Sequence, residues 1–254
     1  MNQERRNQIV EVIREKQVVK NSELMERFGI SIETVRRDLQ YLEEQGVLER
    51  VYGGAVRKTF LNMEPTYANR ENVASAEKQA IAAEAQKLIM PHDTVFFDLG
   101  TTVKLLAQML EKTKPVTVFT NAVRTALLLA DQENCDVILP GGRLRARELS
   151  VAGPITEENM RRFNVDKAFI GFAGITEEGI TDYIVDEAIL RGDVIKNARQ
   201  VIVVGDHSKF GVRAVCKVCS LEDIDVLITD DKAPREFLEM LRGRGVEVIT
   251  VKAE

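Results

Sequence analysis

The sequence has little of what staples, metallates or anchors a chain. It holds three cysteines, Cys135, Cys216 and Cys219, an odd number that suits a reducing compartment and not a disulfide framework. Its only histidines are His92 and His207, so Cys216-x-x-Cys219 has no second pair and few candidates to complete a metal site. In Ala214-Val215-Cys216-Lys217-Val218-Cys219 the cysteines read more readily as small apolar residues near a strand. No metal and no other cofactor is expected. No apolar run approaches a membrane span and no charged-then-apolar leader opens the chain, so the expectation is a soluble cytoplasmic protein without membrane contact.

A basic excess is missing too. The formal net charge is −5, dividing into +1 over residues 1–58 and −6 over the remainder. That excludes indiscriminate coating of nucleic acid by bulk charge. It leaves sequence-specific binding through placed arginines, with an affinity that falls as salt rises. At 254 residues the chain suits one small and one larger domain.

One stretch organises the small domain. In Ser31-Ile32-Glu33-Thr34-Val35-Arg36-Arg37-Asp38-Leu39-Gln40-Tyr41-Leu42 the apolar residues Ile32, Val35, Leu39 and Leu42 fall at helical spacing. Ser31 sits where an N-cap belongs. Glu33, Arg37 and Gln40 fall on the opposite side, with Thr34 and Tyr41 beside them and Arg36 flanking the stripe. That outward face carries groups able to read base edges or hold phosphates. A solvated surface helix presents similar residues, so the neighbours decide.

Upstream, Arg5 to Lys16 reads as a helix burying Ile9, Val12 and Ile13. Val18-Val19 reads as an extended connection, and Asn21-Ser22 as the cap of a second helix, Glu23 to Phe28. Gly29-Ile30 turns the chain into the Ser31 helix, the spacing of a helix-turn-helix. Gly46 stops that helix. Then Val47 to Tyr52 reads as a strand, Gly53-Gly54 as a hairpin turn and Ala55-Val56-Arg57 as the return, which makes a winged domain.

Thr34-Val35-Arg36-Arg37-Asp38-Leu39, then Leu42-Glu43, Gly46 and Arg50-Val51-Tyr52-Gly53-Gly54-Ala55, resemble the DNA-binding signature of the DeoR family of bacterial transcriptional regulators. The resemblance implies that Thr34, Arg36 and Arg37 face DNA, with Arg50, Tyr52 and Arg57 of the wing near the backbone or minor groove.

Residues 59–75 are mixed and polar and read as an interdomain linker, in which Glu64-Pro65 and Arg70-Glu71-Asn72 dock locally. From residue 76 to 254 strands and helices alternate. A helix over Ala76 to Met90 ends at Pro91. Apolar strands follow at 94–98, 116–120, 136–140, 167–172, 201–204, 226–229 and 246–250, with helices at 102–111, 122–130, 155–163, 186–198 and 234–242. This pattern predicts an α/β domain with a mainly parallel sheet covered on both faces, whose ligands bind at the C-terminal strand ends. Four loops belong there. Asp98-Leu99-Gly100-Thr101-Thr102 leads into a helix and has the makings of a phosphate cradle, or of an ordinary threonine-capped turn. Thr120-Asn121-Ala122 and Gly141-Gly142-Arg143 read as further loops or as a cap and a glycine turn. Gly205 to Gly211 brings Lys209.

The DeoR resemblance extends through Asp98-x-Gly100-Thr101-Thr102, Thr120-Asn121, Gly141-Gly142, Lys167-Ala168-Phe169-Ile170-Gly171 and Asp206-x-Ser208-Lys209-Phe210-Gly211. The effector domain of that family is similar to sugar-phosphate isomerases of the ribose-5-phosphate isomerase type. By this likeness Gly100, Thr101 and Thr102 hold a phosphate, while Asp98, Asn121, Glu187 and Lys209 contact a sugar; Glu187 rests on family position alone. Isomerases of that fold place an Asp-Gly-Ala-Asp-Glu segment after a central strand. Here the matching place reads Gly171-Phe172-Ala173-Gly174-Ile175, without an acidic pair.

The expectation is therefore a non-enzymatic DNA-binding regulator, a repressor, with double-stranded operator DNA and a phosphorylated sugar as partners, assembled as a homodimer or homotetramer. The alternatives are an isomerase fused to a DNA-binding domain and a protein-binding adaptor. Its fold class is α/β, a winged helix-turn-helix followed by a mainly parallel sheet. The DNA-facing set is Ser31, Glu33, Thr34, Arg36, Arg37, Gln40, Arg50, Tyr52 and Arg57. The effector set is Asp98, Gly100, Thr101, Thr102, Asn121, Gly141, Gly142, Glu187 and Lys209.

Overall fold

The computed structural model describes residues 2–16, 18–44, 47–51, 53–57 and 64–253, and the chain divides into two compact units, Met1–Phe60 and Leu61–Glu254. The first unit runs α1 (Asn2–Lys16), β1 (Val18–Lys20), α2 (Asn21–Phe28), α3 (Ile32–Glu44), β2 (Leu48–Val51) and β3 (Gly54–Arg57). The apolar stripes meet in one core: Ile9, Val12 and Ile13 of α1, Leu24 of α2, and Val35, Leu39 and Leu42 of α3 are buried together with Val19, Leu48 and Ala55. Gly29, left-handed at φ 61°, ends α2 by donating its N–H to the Met25 carbonyl. Ser31 Oγ accepts from the Thr34 N–H at 3.4 Å and caps α3.

Three details depart from the sequence reading. Asn21 and Ser22 do not precede α2 but begin it, and the Asn21 N–H donates to the Gly53 carbonyl of the wing turn (2.9 Å). Val18-Val19 forms β1, which pairs with β3 and makes a three-stranded sheet of order β1-β3-β2. The return strand starts at Gly54, because Gly54 pairs with both Val51 and Lys20. A Cβ there would lie 2.0 Å from the Val19 carbonyl oxygen, so glycine is what lets β1 approach.

The second unit begins with α4 (Tyr67–Asn72), α5 (Ser75–Gln86), β4 (Thr94–Phe97), α6 (Thr101–Gln108), β5 (Val116–Thr120), α7 (Val123–Leu129) and β6 (Cys135–Ile138). Next come β7 (Arg143–Arg145), β8 (Ser150–Ala152), α8 (Pro154–Met160), β9 (Val165–Ile170), β10 (Gly174–Thr176), β11 (Gly179–Asp182), α9 (Val185–Asn197) and β12 (Ala198–Val204). The unit closes with β13 (Cys216–Cys219), β14 (Val226–Asp230), α10 (Arg235–Gly243) and β15 (Glu247–Val251). Seven strands form one parallel sheet of order β15-β14-β12-β9-β4-β5-β6. Successive residues face opposite sides. Val95 and Phe97 join Val118, Phe169 and Ile202 under α5, α6 and α7, while Phe96, Ala168, Ile170 and Val203 pack with residues of α8, α9 and α10. Apolar residues on both faces are what a sheet covered twice requires.

The periodic segments are helical as expected, but α5 stops at Gln86, short of Pro91. The sequence reading lacked α4 and two small antiparallel sheets, β7-β8 and β10-β11-β13. Residues expected as linker have addresses in this unit: Tyr67 is buried with Leu99 and Ala122, Arg70 pairs with Glu64 and Glu148, and Glu71 pairs with Lys104. The chain builds β4, β5 and β6 outward and then returns to β9 on the other side of β4. The β4–β9 junction is thus the topological switch point, where open α/β sheets bind ligands.

Asp38, part of the α3 signature, is buried and takes no part in the outward face. It accepts from Arg5 Nε (2.7 Å) and Arg6 Nε (2.8 Å), joining α1 to α3, and the Arg6 guanidinium lies over the Tyr41 ring. Burial raises its pKa, but the hydrogen bonds from the two arginines outweigh that and hold it below the ordinary carboxylate value. The stability Asp38 supplies is therefore present above the unfolded pKa and lost as pH falls through the folded one. Asp38→Asn is expected to destabilise the first unit by about 1–3 kcal/mol at neutral pH, with the gap narrowing towards about pH 4. Hydrogen exchange of α1 and α3 amides across pH checks this.

Candidate functional site

In the first unit, α3 turns Glu33, Arg36, Arg37 and Gln40 to solvent, with Thr34 half-buried. Neither Arg36 nor Arg37 makes an ion pair with any described residue, whereas Gln40 donates to Glu44 (3.0 Å). Arg50 of the wing is held by Glu43, which accepts both its N–H (2.9 Å) and its Nε (2.7 Å). Arg57 closes β3, but its side chain, all of Tyr52 and Gly46 lie outside the described residues.

In the second unit a cleft opens at the switch point. Its lining includes Gly100, Thr101 and Thr102 of the loop after β4, Gly171 and Phe172 after β9, and Asp206 and Lys209 after β12. Lys78 of α5, Arg191 of α9, and Glu64 and Arg70 complete the wall. The first-turn N–H groups of α6 have no acceptor within the helix and carry the positive end of its dipole. Gly100 has extended backbone (φ 170°), and a Cβ added there would meet only Val103 Cγ2, at 4.0 Å. The protein's own packing does not require glycine at this place; a side chain there would occupy the cleft.

Arg191 and Asp182 of this lining belong, with Asp98 and Glu187 behind them, to a set of locked charges. Asp98 is fully buried; its Oδ2 accepts from Arg191 Nε (2.6 Å) and the Gly171 N–H (3.0 Å), and its Oδ1 from the Leu99 N–H (2.7 Å). Burial pushes its pKa up to about 6 against the pull of Arg191, so it is ionised at neutral pH. Arg191 also pairs with Asp182 and lies 3.6 Å from Glu187 Oε2. Against burial, which lowers it, Asp182, Asp98 and Glu187 raise the Arg191 pKa and keep it charged. Asn121 Oδ1 accepts from the Leu99 N–H (3.1 Å), and Glu187 accepts from Ser150 Oγ (2.7 Å) and from Arg145. Asn121 Nδ2 and Glu187 Oε2 are buried without a hydrogen-bond partner.

Of the nine expected effector residues, Gly100, Thr101, Thr102 and Lys209 line the cleft, and Asp98, Asn121 and Glu187 lie behind that lining. Gly141 and Gly142 stand apart from both. Thr156 Oγ1 donates to the Gly141 carbonyl (2.7 Å), and a Cβ on Gly142 would lie 2.1 Å from that hydroxyl, so this pair shapes a turn against α8. Sequence reasoning missed Lys78, Asp206, Arg70 and Arg191. The residues Lys78 and Arg191 sit among helix formers, where a cation normally reads as surface. Burial lowers the Lys78 pKa to about 8. Among the described residues no group of three His, Cys, Asp or Glu is placed to hold a metal ion. Burial raises both β13 thiols, Cys219 to about 12, which opposes a thiolate there at neutral pH.

A helix-turn-helix with a three-stranded wing, followed in sequence by an α/β unit with a polar switch-point cleft, is the composition of a DNA-binding transcriptional regulator that carries a sensor domain. Residues 5–59 match the DeoR-like helix-turn-helix domain and residues 73–231 the DeoR C-terminal sensor domain. The chain belongs to the DeoR family. It is 35% identical to a putative aga operon transcriptional repressor of Escherichia coli O157:H7, over 98% of this chain and 93% of that one. It is 33% identical to the transcriptional repressor GlcR of Bacillus subtilis strain 168 (99% and 97%), and 30% identical to the glycerol-3-phosphate regulon repressor of Escherichia coli K12 (96% and 97%). Among solved structures it overlaps partially with ribose 5-phosphate isomerase A of Methanocaldococcus jannaschii, at 20% identity and a TM-score of 0.39 over 52% of this chain and 53% of that chain. An eIF2B beta structure from Chaetomium thermophilum overlaps at 17% identity and a TM-score of 0.43, covering 60% and 48%.

His207, beside the cleft, shares a hydrogen bond with Asp230 Oδ1 (2.9 Å), which raises the His207 pKa above its ordinary value. That stabilisation is complete below the unfolded pKa and is lost as pH rises through the folded one. The melting temperature is expected to fall from about pH 6 to about pH 8 more steeply in the wild type than in His207→Gln. Parallel slopes in a pH series of thermal melts would contradict it.

Proposed function

We propose that the chain is a repressor whose second unit binds a phosphorylated sugar and whose first unit binds double-stranded operator DNA. The observation that carries the effector reading is the α6 N-terminus opening through Gly100-Thr101-Thr102 onto a cleft where Lys78 and Lys209 converge. Free first-turn N–H groups, a dipole end and two ammonium groups suit a phosphate. The relative named for a glycerol-3-phosphate regulon supports a phosphorylated effector. In this reading residues 1–58 form the DNA-binding domain, 59–75 the connection and 76–254 the effector domain. The outward face of α3, Ser31 to Gln40, reads bases, with Arg36 and Arg37 available because no described carboxylate holds them. Arg50 joins them when a phosphate displaces Glu43, and Tyr52 and Arg57 complete the wing contacts.

The same unit senses and does not convert. Residues 171–175 place no carboxylate at the end of β9, and Asp98 and Asp182 are engaged with Arg191. Neither is free to take a proton from carbon. Glu64 and Arg70 line the cleft, so a ligand there touches the segment that follows the first unit in sequence. Ligand and operator affinities are then coupled reciprocally. Symmetric operators require symmetric proteins, hence a homodimer or homotetramer acting in the cytoplasm.

A thermal-shift screen against phosphorylated sugars and their unphosphorylated forms tests the effector reading, since ligand binding to the folded state raises stability. A phosphate-dependent shift is expected, lost in Thr101→Val and in Gly100→Val while both variants still unfold cooperatively. Consumption of the shifting compound would restore the isomerase alternative. Separately, Arg37→Ala is expected to weaken operator binding by about tenfold or more in a mobility-shift assay while ligand affinity is retained. Equal operator affinity would remove α3 from the interface.

A further inference from the structure

Asp206 is a polar feature of the cleft that phosphate binding leaves unused. It follows β12 and is buried, and its Oδ1 accepts the Ser208 N–H (3.0 Å), capping the short turn His207–Lys209. Its other oxygen, Oδ2, is buried and has no hydrogen-bond partner. Lys78 Nζ lies 4.0 Å away, beyond hydrogen-bond reach, and donates instead to the carbonyls of Val73 (2.6 Å) and Arg70. A turn cap needs one carboxylate oxygen, so capping accounts for Oδ1 and leaves Oδ2 unexplained. Buried carboxylate oxygens ordinarily have donors.

We propose that Asp206 Oδ2 accepts a hydrogen bond from a hydroxyl of the bound effector, which makes Asp206 the residue that selects a polyhydroxylated phosphoester over a plain one. The inference rests on the phosphate reading of the α6 N-terminus. A hydroxyl donating to a carboxylate makes one of the stronger hydrogen bonds. A site built around such a bond rejects the analogue that lacks the hydroxyl, because its own buried acceptor is then unpaired. Lys78, close by, keeps the negative charge on Asp206 compensated.

The test uses the full-length chain, with calorimetric titration of inorganic phosphate, propyl phosphate and a panel of triose, pentose and hexose monophosphates. Two variants separate selection from folding. Asp206→Ser keeps a side-chain acceptor for the turn and deletes Oδ2, while Asp206→Asn keeps the shape and turns that position into a donor. Wild type is expected to bind at least one sugar phosphate about tenfold or more tighter than propyl phosphate. Both variants should lose that preference, the ratio of sugar phosphate to propyl phosphate affinity falling to near one. A preference that survives both substitutions overturns the proposal. If wild type binds none of the phosphorylated probes, the phosphate reading fails, and unphosphorylated polyols at millimolar concentration decide the rest. A thermal shift with a polyol that disappears in Asp206→Ser leaves the hydroxyl acceptor standing, and no shift removes it.

Discussion

Arg191 is a buried residue of the cleft wall with Asp98, Asp182 and Glu187 around its guanidinium, and these three come from the end of β4, from β11 and from α9 itself. Such a cluster contributes little net stability, because desolvating four charges offsets most of their attraction. Removing any one member is another matter, since it strands charge in a dry interior. The cluster therefore fixes where the three elements sit relative to one another. It also extends outward: Glu187 pairs with Arg145, Arg145 with Glu64, Glu64 with Arg70 and Arg70 with Glu148. One ionic chain thus runs from the wall of the cleft to the segment that follows the DNA-binding unit.

The same residue type serves opposite ends in the two units. Arg36 and Arg37 are exposed and make no ion pair with any described residue, which leaves their donors to the solvent side of α3. Arg70, Arg145 and Arg191 fill their donors with carboxylates and so act as fixed parts of the frame. Guanidinium geometry permits both, because its planar fork binds carboxylate and phosphate alike. What differs is the supply of acids within reach. Arg50, tied to Glu43, stands between the two cases.

Much of this was legible in the sequence because burial leaves a period. The α3 stripe, the seven apolar strands and the loop after β4 could all be placed from spacing and composition. What spacing reports is that a residue is buried, not what it meets. Asp38 stands in the family motif with no partner visible in the sequence, and it is Arg5 and Arg6, more than thirty positions away, that claim it. Gly141-Gly142 reads equally as a ligand loop and as a glycine turn, and nothing in its spacing announces the Thr156 hydroxyl packed against it. The α4 segment has no apolar period at all, since a single buried Tyr67 and a set of ion pairs hold it. Lys78 escaped notice, and Asp206 was seen only as part of a motif, because the two meet across more than a hundred residues of sequence.

The return of the chain to β9 has a consequence during synthesis. The core of the first unit is complete once β3 has been made, whereas the cleft needs residues from Glu64 to Lys209, and its two halves meet only when β9 pairs with β4. At roughly 5–20 residues per second a ribosome takes roughly ten to thirty seconds over that interval. A nascent chain therefore owns a reader before it owns a sensor. For that period its helix-turn-helix answers to sequence alone.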